Sequence, residues 1–127
     1  MDAAILYLFY IPPYGRYQEA IAVMRPELGL VYPHYYNIAA GAYLGLGQLD
    51  NGMRMARESV RLGRIGNDPS LPTGLYLLGL MQRCAGQPVV GFANLREARG
   101  LSPENDQIKA ALADDVSGLC RPVAPDK

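Results

Sequence analysis

An all-α fold of antiparallel helix pairs stacked side by side is what the sequence predicts. Three observations predict it. A glycine-centred punctuation recurs along the chain. Helix-length segments flank each glycine, with small and apolar residues at i, i+3, i+4 and i+7 spacing. The composition, 50% hydrophobic and 19% charged over 127 residues, supplies apolar surface for one core and one domain.

The punctuation reads Tyr14-Gly15-Arg16-Tyr17, Leu46-Gly47-Gln48-Leu49 and Ala85-Gly86-Gln87-Pro88, with the glycines 32 and then 39 residues apart. A glycine just past a helix end takes the left-handed conformation without a Cβ penalty, so it closes one helix and turns the chain into the next. Pro88 falls where a first-turn proline is tolerated.

Taken in order, residues 1–32 form a degenerate first unit. Its leading helix, Ala4 to Ile11, is broken by Pro12-Pro13, and Pro26 ends the second near Arg25. The middle unit, 34–64, pairs a helix at His34–Leu46, with Tyr36, Ala39, Ala40 and Tyr43 on one face, with a helix at Leu49–Leu62. Gly52, Ala56, Ser59 and Val60 line the inner side of that second helix. The run Arg64 to Pro72 is rich in turn residues and reads as an extended loop. The last unit, 72–103, repeats the series with Leu75, Leu78, Gly79 and Gln82, then Gly91, Leu95 and Ala98, and closes at Pro103. A capping helix is expected over 105–116, with Ile108, Leu112 and Val116 along one side. The domain so defined spans 1–117, and 118–127 reads as a flexible tail. Small residues allow close approach: Ala40 and Gly79 on the first helices are expected to meet Gly52 and Gly91 on the second.

The series Tyr36–Ala39–Ala40–Tyr43–Gly52–Ala56 and Leu75–Leu78–Gly79–Gln82–Gly91–Leu95–Pro103 resembles the tetratricopeptide repeat. The resemblance implies a short solenoid of helix-turn-helix repeats with a C-terminal cap. It implies a function of binding another protein as an adaptor or scaffold. Its other readings are a regulatory module beside a catalytic or signalling partner, or a chaperone for specific client subunits. It places His34, Asn37, Gly41 and Leu44 of the middle unit, and Thr73, Tyr76, Leu80 and Arg83 of the last, on the concave partner-binding face. In some family members a basic clamp on that face holds a terminal carboxylate. Ile5 and Phe9 stand where such a clamp would offer Lys and Asn, which argues against that mode here.

Other classes find less support. Twelve basic residues balance twelve acidic ones, so no global field draws nucleic acid or an anionic membrane. Arg54, Arg57, Arg61 and Arg64 lie along one side of a helix and form a candidate stripe for an acidic partner, weighed against a solvated face. His34 is the single histidine, and no nucleophile, base and orienting carboxylate are spaced together, so no enzyme, cofactor or metal is expected. Two cysteines are fewer than a secreted mini-scaffold carries, which points to a reducing, cytoplasmic setting, and Cys84 and Cys120 read as two free thiols in preference to a bridge. The apolar run Ala3 to Ile11 is too short to span a bilayer and lacks a basic leader. Its Ile5–Ile11 portion is expected to be completed by a partner, as a homo-oligomer or obligate complex.

Overall fold

The computed structural model of the chain describes residues 33–120; the degenerate first unit at 1–32, with its Ile5–Ile11 segment, and the last residues of the expected tail lie outside the described residues. Among the described residues the chain is all-helical. Helix α1 spans Pro33–Gly45, α2 Leu49–Gly66, α3 Leu71–Cys84, α4 Pro88–Leu101 and α5 Asp106–Ala111, followed by a 3-10 turn at Ser117–Leu119.

The two glycine turns form as expected and in the same way. Gly47 and Gly86 take φ of 76° and 80°. At the first, Gln48 N–H donates to Tyr43 O (2.9 Å) and Gly47 N–H to Leu44 O (3.0 Å). At the second, Gln87 N–H donates to Gln82 O (2.8 Å) and Gly86 N–H to Arg83 O (3.2 Å). This crossed pair of bonds satisfies the orphan carbonyls of a helix end and reverses the chain within three residues. The α1–α2 and α3–α4 pairs are therefore antiparallel hairpins.

Small residues set the spacing inside each hairpin. A Cβ on Gly79 would lie 2.8 Å from Gly91 O, and one on Gly91 would lie 2.8 Å from Gly79 O. In the first hairpin a Cβ on Gly52 would meet Met81 Sδ at 2.5 Å and Ala40 O at 3.3 Å. Helix α3 also packs against α2 in antiparallel fashion, Gly74 against Ser59 and Val60, and Gly63 against Leu71. The core joins Ala40, Met53, Ala56, Val60, Leu75, Leu78, Met81, Ala98 and Ile108 across all five helices.

Three expectations are corrected. The run read as a loop from Arg64 is helical through Gly66, and only 67–70 is irregular. Asn67, not a glycine, takes the left-handed conformation (φ 49°) that ends α2, and Asp68 N–H then donates to Gly63 O at 2.9 Å. The longer second spacing thus adds a helical turn to α2. Asp68 Oδ1 accepts from Ser70 N–H (2.8 Å), a local bond that shapes the short loop.

The capping helix is shorter than 105–116. Asn105 caps it, its Oδ1 accepting from Ile108 N–H at 3.0 Å, but α5 stops at Ala111. Beyond that point Asp114 and Asp115 would set negative charge against the negative end of the helix dipole. Arg83 instead takes the carbonyls there.

The cysteines are not free. Cys84, the last residue of α3, is bonded to Cys120, with Cα atoms 5.4 Å apart. The start of the expected tail is therefore tied down at Cys120. With its cysteines 36 positions apart, the bridge removes freedom from the unfolded chain worth on the order of 4 kcal/mol in the chain-entropy picture.

Gly91→Ala sets a methyl against a backbone carbonyl that cannot move cheaply, and is expected to cost about 1–3 kcal/mol in urea unfolding. Gly100→Ala, where a Cβ meets nothing within 4 Å, is expected to be neutral or stabilising by about 0.5 kcal/mol. Equal effects at the two sites would contradict the close-approach account.

Candidate protein-binding face

Helices α1 and α3 are neighbours, and the eight residues expected on the binding face are distributed along them. Asn37 ties the two together, its Nδ2 donating to Ser70 O just ahead of α3 (3.2 Å). His34 and Thr73 are exposed at the α1 and α3 starts. His34 adds a minor electrostatic contribution to Asp68, whose carboxyl is held low chiefly by its hydrogen bonds from Ser70. Gly41 is half-exposed, and a Cβ there would meet open space.

Deeper along the face the residues converge. Leu44 and Tyr76 are half-buried and each packs against both core clusters. Burial pushes the Tyr76 phenol up from its ordinary value. Two of the eight are buried, Asn37 at 7% exposure and Leu80 at 1%, so neither offers contact area as the chain stands. Asn37 Oδ1 and Ser59 Oγ, both buried without a hydrogen-bond partner, flank Gly74, where a Cβ would lie 3.2 and 3.0 Å from them.

What covers Leu80 is the chain's own C-terminal segment. Leu80, Leu95, Ala111 and Val116 form a second core cluster, against which Leu44, Tyr76, Cys84, Leu112 and Cys120 pack. Arg83 anchors the same segment. Its guanidinium donates to Ala111 O (2.9 Å), to Ala113 O and to Asp114 O (3.1 Å). The same group stacks 4.0 Å over the Phe92 ring, a cation–π contact that fixes its direction. Leu44, Tyr76, Leu80 and Arg83 therefore form one site, already occupied. The sequence held a signal for this in the four-residue spacing of Ile108, Leu112, Val116 and Cys120, which continues past the end of the helix.

The arginine stripe lies on α2, away from this site and partly neutralised. Arg54 donates to Asn51 Oδ1 (3.2 Å) and Arg61 pairs with Glu58. Arg64 makes a two-pronged bond to Glu97 of α4, at 2.6 and 2.8 Å. That pair joins the two second helices on one side of the molecule. Arg57 is exposed, with no hydrogen bond to any described residue. Among the described residues no group of three His, Cys, Asp or Glu side chains is placed to hold a metal ion, and no helix is long and apolar enough to cross a membrane.

The hydrogen bond from Arg64 holds the Glu97 carboxyl below its ordinary value, and that from Arg61 does the same to Glu58. A carboxyl with a depressed folded pKa stabilises the fold above its unfolded titration range. That contribution is lost as pH falls through the depressed value. Glu97→Gln is thus expected to cost on the order of 0.5 kcal/mol near neutral pH, as exposed pairs do. In denaturant titrations the cost should fade on acidification and in high salt. A difference that persists in acid would mean that packing, not charge, links α2 to α4.

Compared with known proteins, the chain matches no protein-family model, no curated protein and no solved structure.

Proposed function

We propose that this chain is a protein-interaction module, a short array of tetratricopeptide-like helix pairs that holds a peptide, helix or subunit of another protein on the α1/α3 face. The reading treats it as an adaptor without catalytic chemistry or cofactor of its own. One observation carries it. Leu44, Tyr76, Leu80 and Arg83 gather against an irregular peptide segment of the same chain, residues 112–120, of which Val116 is buried, and the Arg83 guanidinium takes the carbonyls of Ala111, Ala113 and Asp114. A face that binds one segment this way has the chemistry to bind another.

Two further features support the repeat reading. Both hairpins turn on the same pair of glycine-capped bonds, and both close on small residues at matching places. Beside the occupied part, His34, Gly41 and Thr73 leave an accessible rim on α1 and α3. The arginine stripe serves in this reading as a solvated outer surface, since three of its four members already have partners.

The disulfide bears on where the chain works. A persistent bridge belongs to an oxidising compartment, whereas in a cytoplasm such a bond is typically transient and sensing. The cytoplasmic setting expected from the cysteine count is retained only in that second form.

Gly41→Glu and Thr73→Glu each place a charge on the accessible rim with room to stand. Proteins retained by the immobilised chain are expected to fall by about tenfold with either variant, as for loss of a central interface contact. Arg57→Glu on the outer surface should leave retention unchanged. Quantitative mass spectrometry of the retained fraction decides it: partners that ignore both rim charges would sink the assignment of this face.

A further inference from the structure

The segment after α5 is held at few points. From 112 to 120 it has one short 3-10 turn, and of its side chains only Val116 is buried. Its backbone bonds are local, such as Leu119 N–H to Val116 O at 2.8 Å. What fastens it to α3 is Val116 and Leu112 in the apolar site, the Arg83 guanidinium on three carbonyls, and the Cys84–Cys120 bridge. Ordering such a segment costs backbone freedom at every residue, so loss of the covalent tie tips the balance toward release. Both cysteines are half-exposed, within reach of an attacking thiolate.

We propose that the Cys84–Cys120 bond is a redox latch on the binding face. With the bond intact, residues 112–120 cover Leu44, Tyr76 and Leu80. Reduction by a dithiol frees them for a partner of matching chemistry: a peptide that runs from a helix end into an irregular turn, with apolar side chains four residues apart beyond that end and its open carbonyls presented to Arg83. The covering segment is the template for that partner, through Leu112, Val116 and Cys120. In the chemical step one dithiol sulfur attacks one cysteine Sγ, which breaks the Cys84–Cys120 bond, releases the other cysteine as a thiolate and forms a mixed disulfide. The second dithiol sulfur then attacks the first, breaking the mixed disulfide and releasing the remaining cysteine. The dithiol ends as a disulfide, and two electrons and two protons pass to Cys84 and Cys120.

The inference rests on the reading of the α1/α3 face given above, and one experiment separates the two. The full chain, oxidised or reduced with dithiothreitol, is followed by hydrogen–deuterium exchange. The probe for binding is a fluorescent peptide with the sequence of residues 106–120 carrying Cys120→Ser. Reduction is expected to speed exchange at 112–120 by about tenfold or more while Met53–Val60 keeps its protection. The peptide should bind the reduced chain about tenfold more tightly than the oxidised one. Arg83→Gln should weaken that binding. Exchange at 112–120 that ignores reduction overturns the latch and leaves the binding face standing. Release without peptide capture overturns the face itself and the latch with it. Loss of protection throughout the chain on reduction makes the bridge a purely structural staple and also overturns the latch.

Discussion

Helix α3 is buried on nearly every side, and the other elements are arranged by that constraint. Eight of its fourteen residues are buried, among them the unbroken run Leu77 to Gln82. A helix apolar all round must be enclosed rather than laid on a surface. Enclosure by four neighbours is feasible only where some of them come very close, and Gly74, Gly79, Gly91 and Gly52 are the points of approach. The polar group caught inside is matched rather than excluded. Buried Gln82 accepts from Asn94 Nδ2 at 2.7 Å, so its carbonyl is not left dry.

The parts of this arrangement that were legible in the sequence are those decided by near neighbours. Gly47 and Gly86 end helices through bonds that reach back at most five residues, so Leu-Gly-Gln and Ala-Gly-Gln read correctly. Gly52 and Gly91 read correctly because small residues at helical spacing have few other uses. The misread parts were decided wholly or partly over distance. The end of α2 is fixed partly by neighbours, through Asn67 and the Asp68–Ser70 bond, and only partly over distance. The distant part is Asn37, 33 residues away, holding Ser70. The early end of α5 depends on Arg83, 28 residues before the first carbonyl it takes. Two cysteines in 127 residues carry no sign of their pairing until the fold brings them together.

The same distance argument applies to the candidate site. The family resemblance placed Leu44, Tyr76, Leu80 and Arg83 among eight residues on one face, and the fold does gather these four. What the resemblance could not reveal is that Leu80 and Arg83 are already engaged, since their occupant comes from beyond the second hairpin. Arg83 illustrates the limit. Read alone it is a lone charge awaiting an acidic partner. In place it lies over Phe92 and serves carbonyl dipoles, a task for which a planar guanidinium suits better than an ammonium.

A stack of helical hairpins must cover its end face, because each hairpin buries its apolar side only against a neighbour. Here the carboxyl-terminal end is closed by a six-residue helix too short to stand alone. Tertiary contacts must hold it, and they are concentrated on Ile108 and Ala111, which are buried, and on the carbonyl of Ala111. That carbonyl is also where the covering segment begins. The closing of this end and the covering of Leu80 are thus one structural event, anchored on α3 by apolar contacts, one arginine and one disulfide.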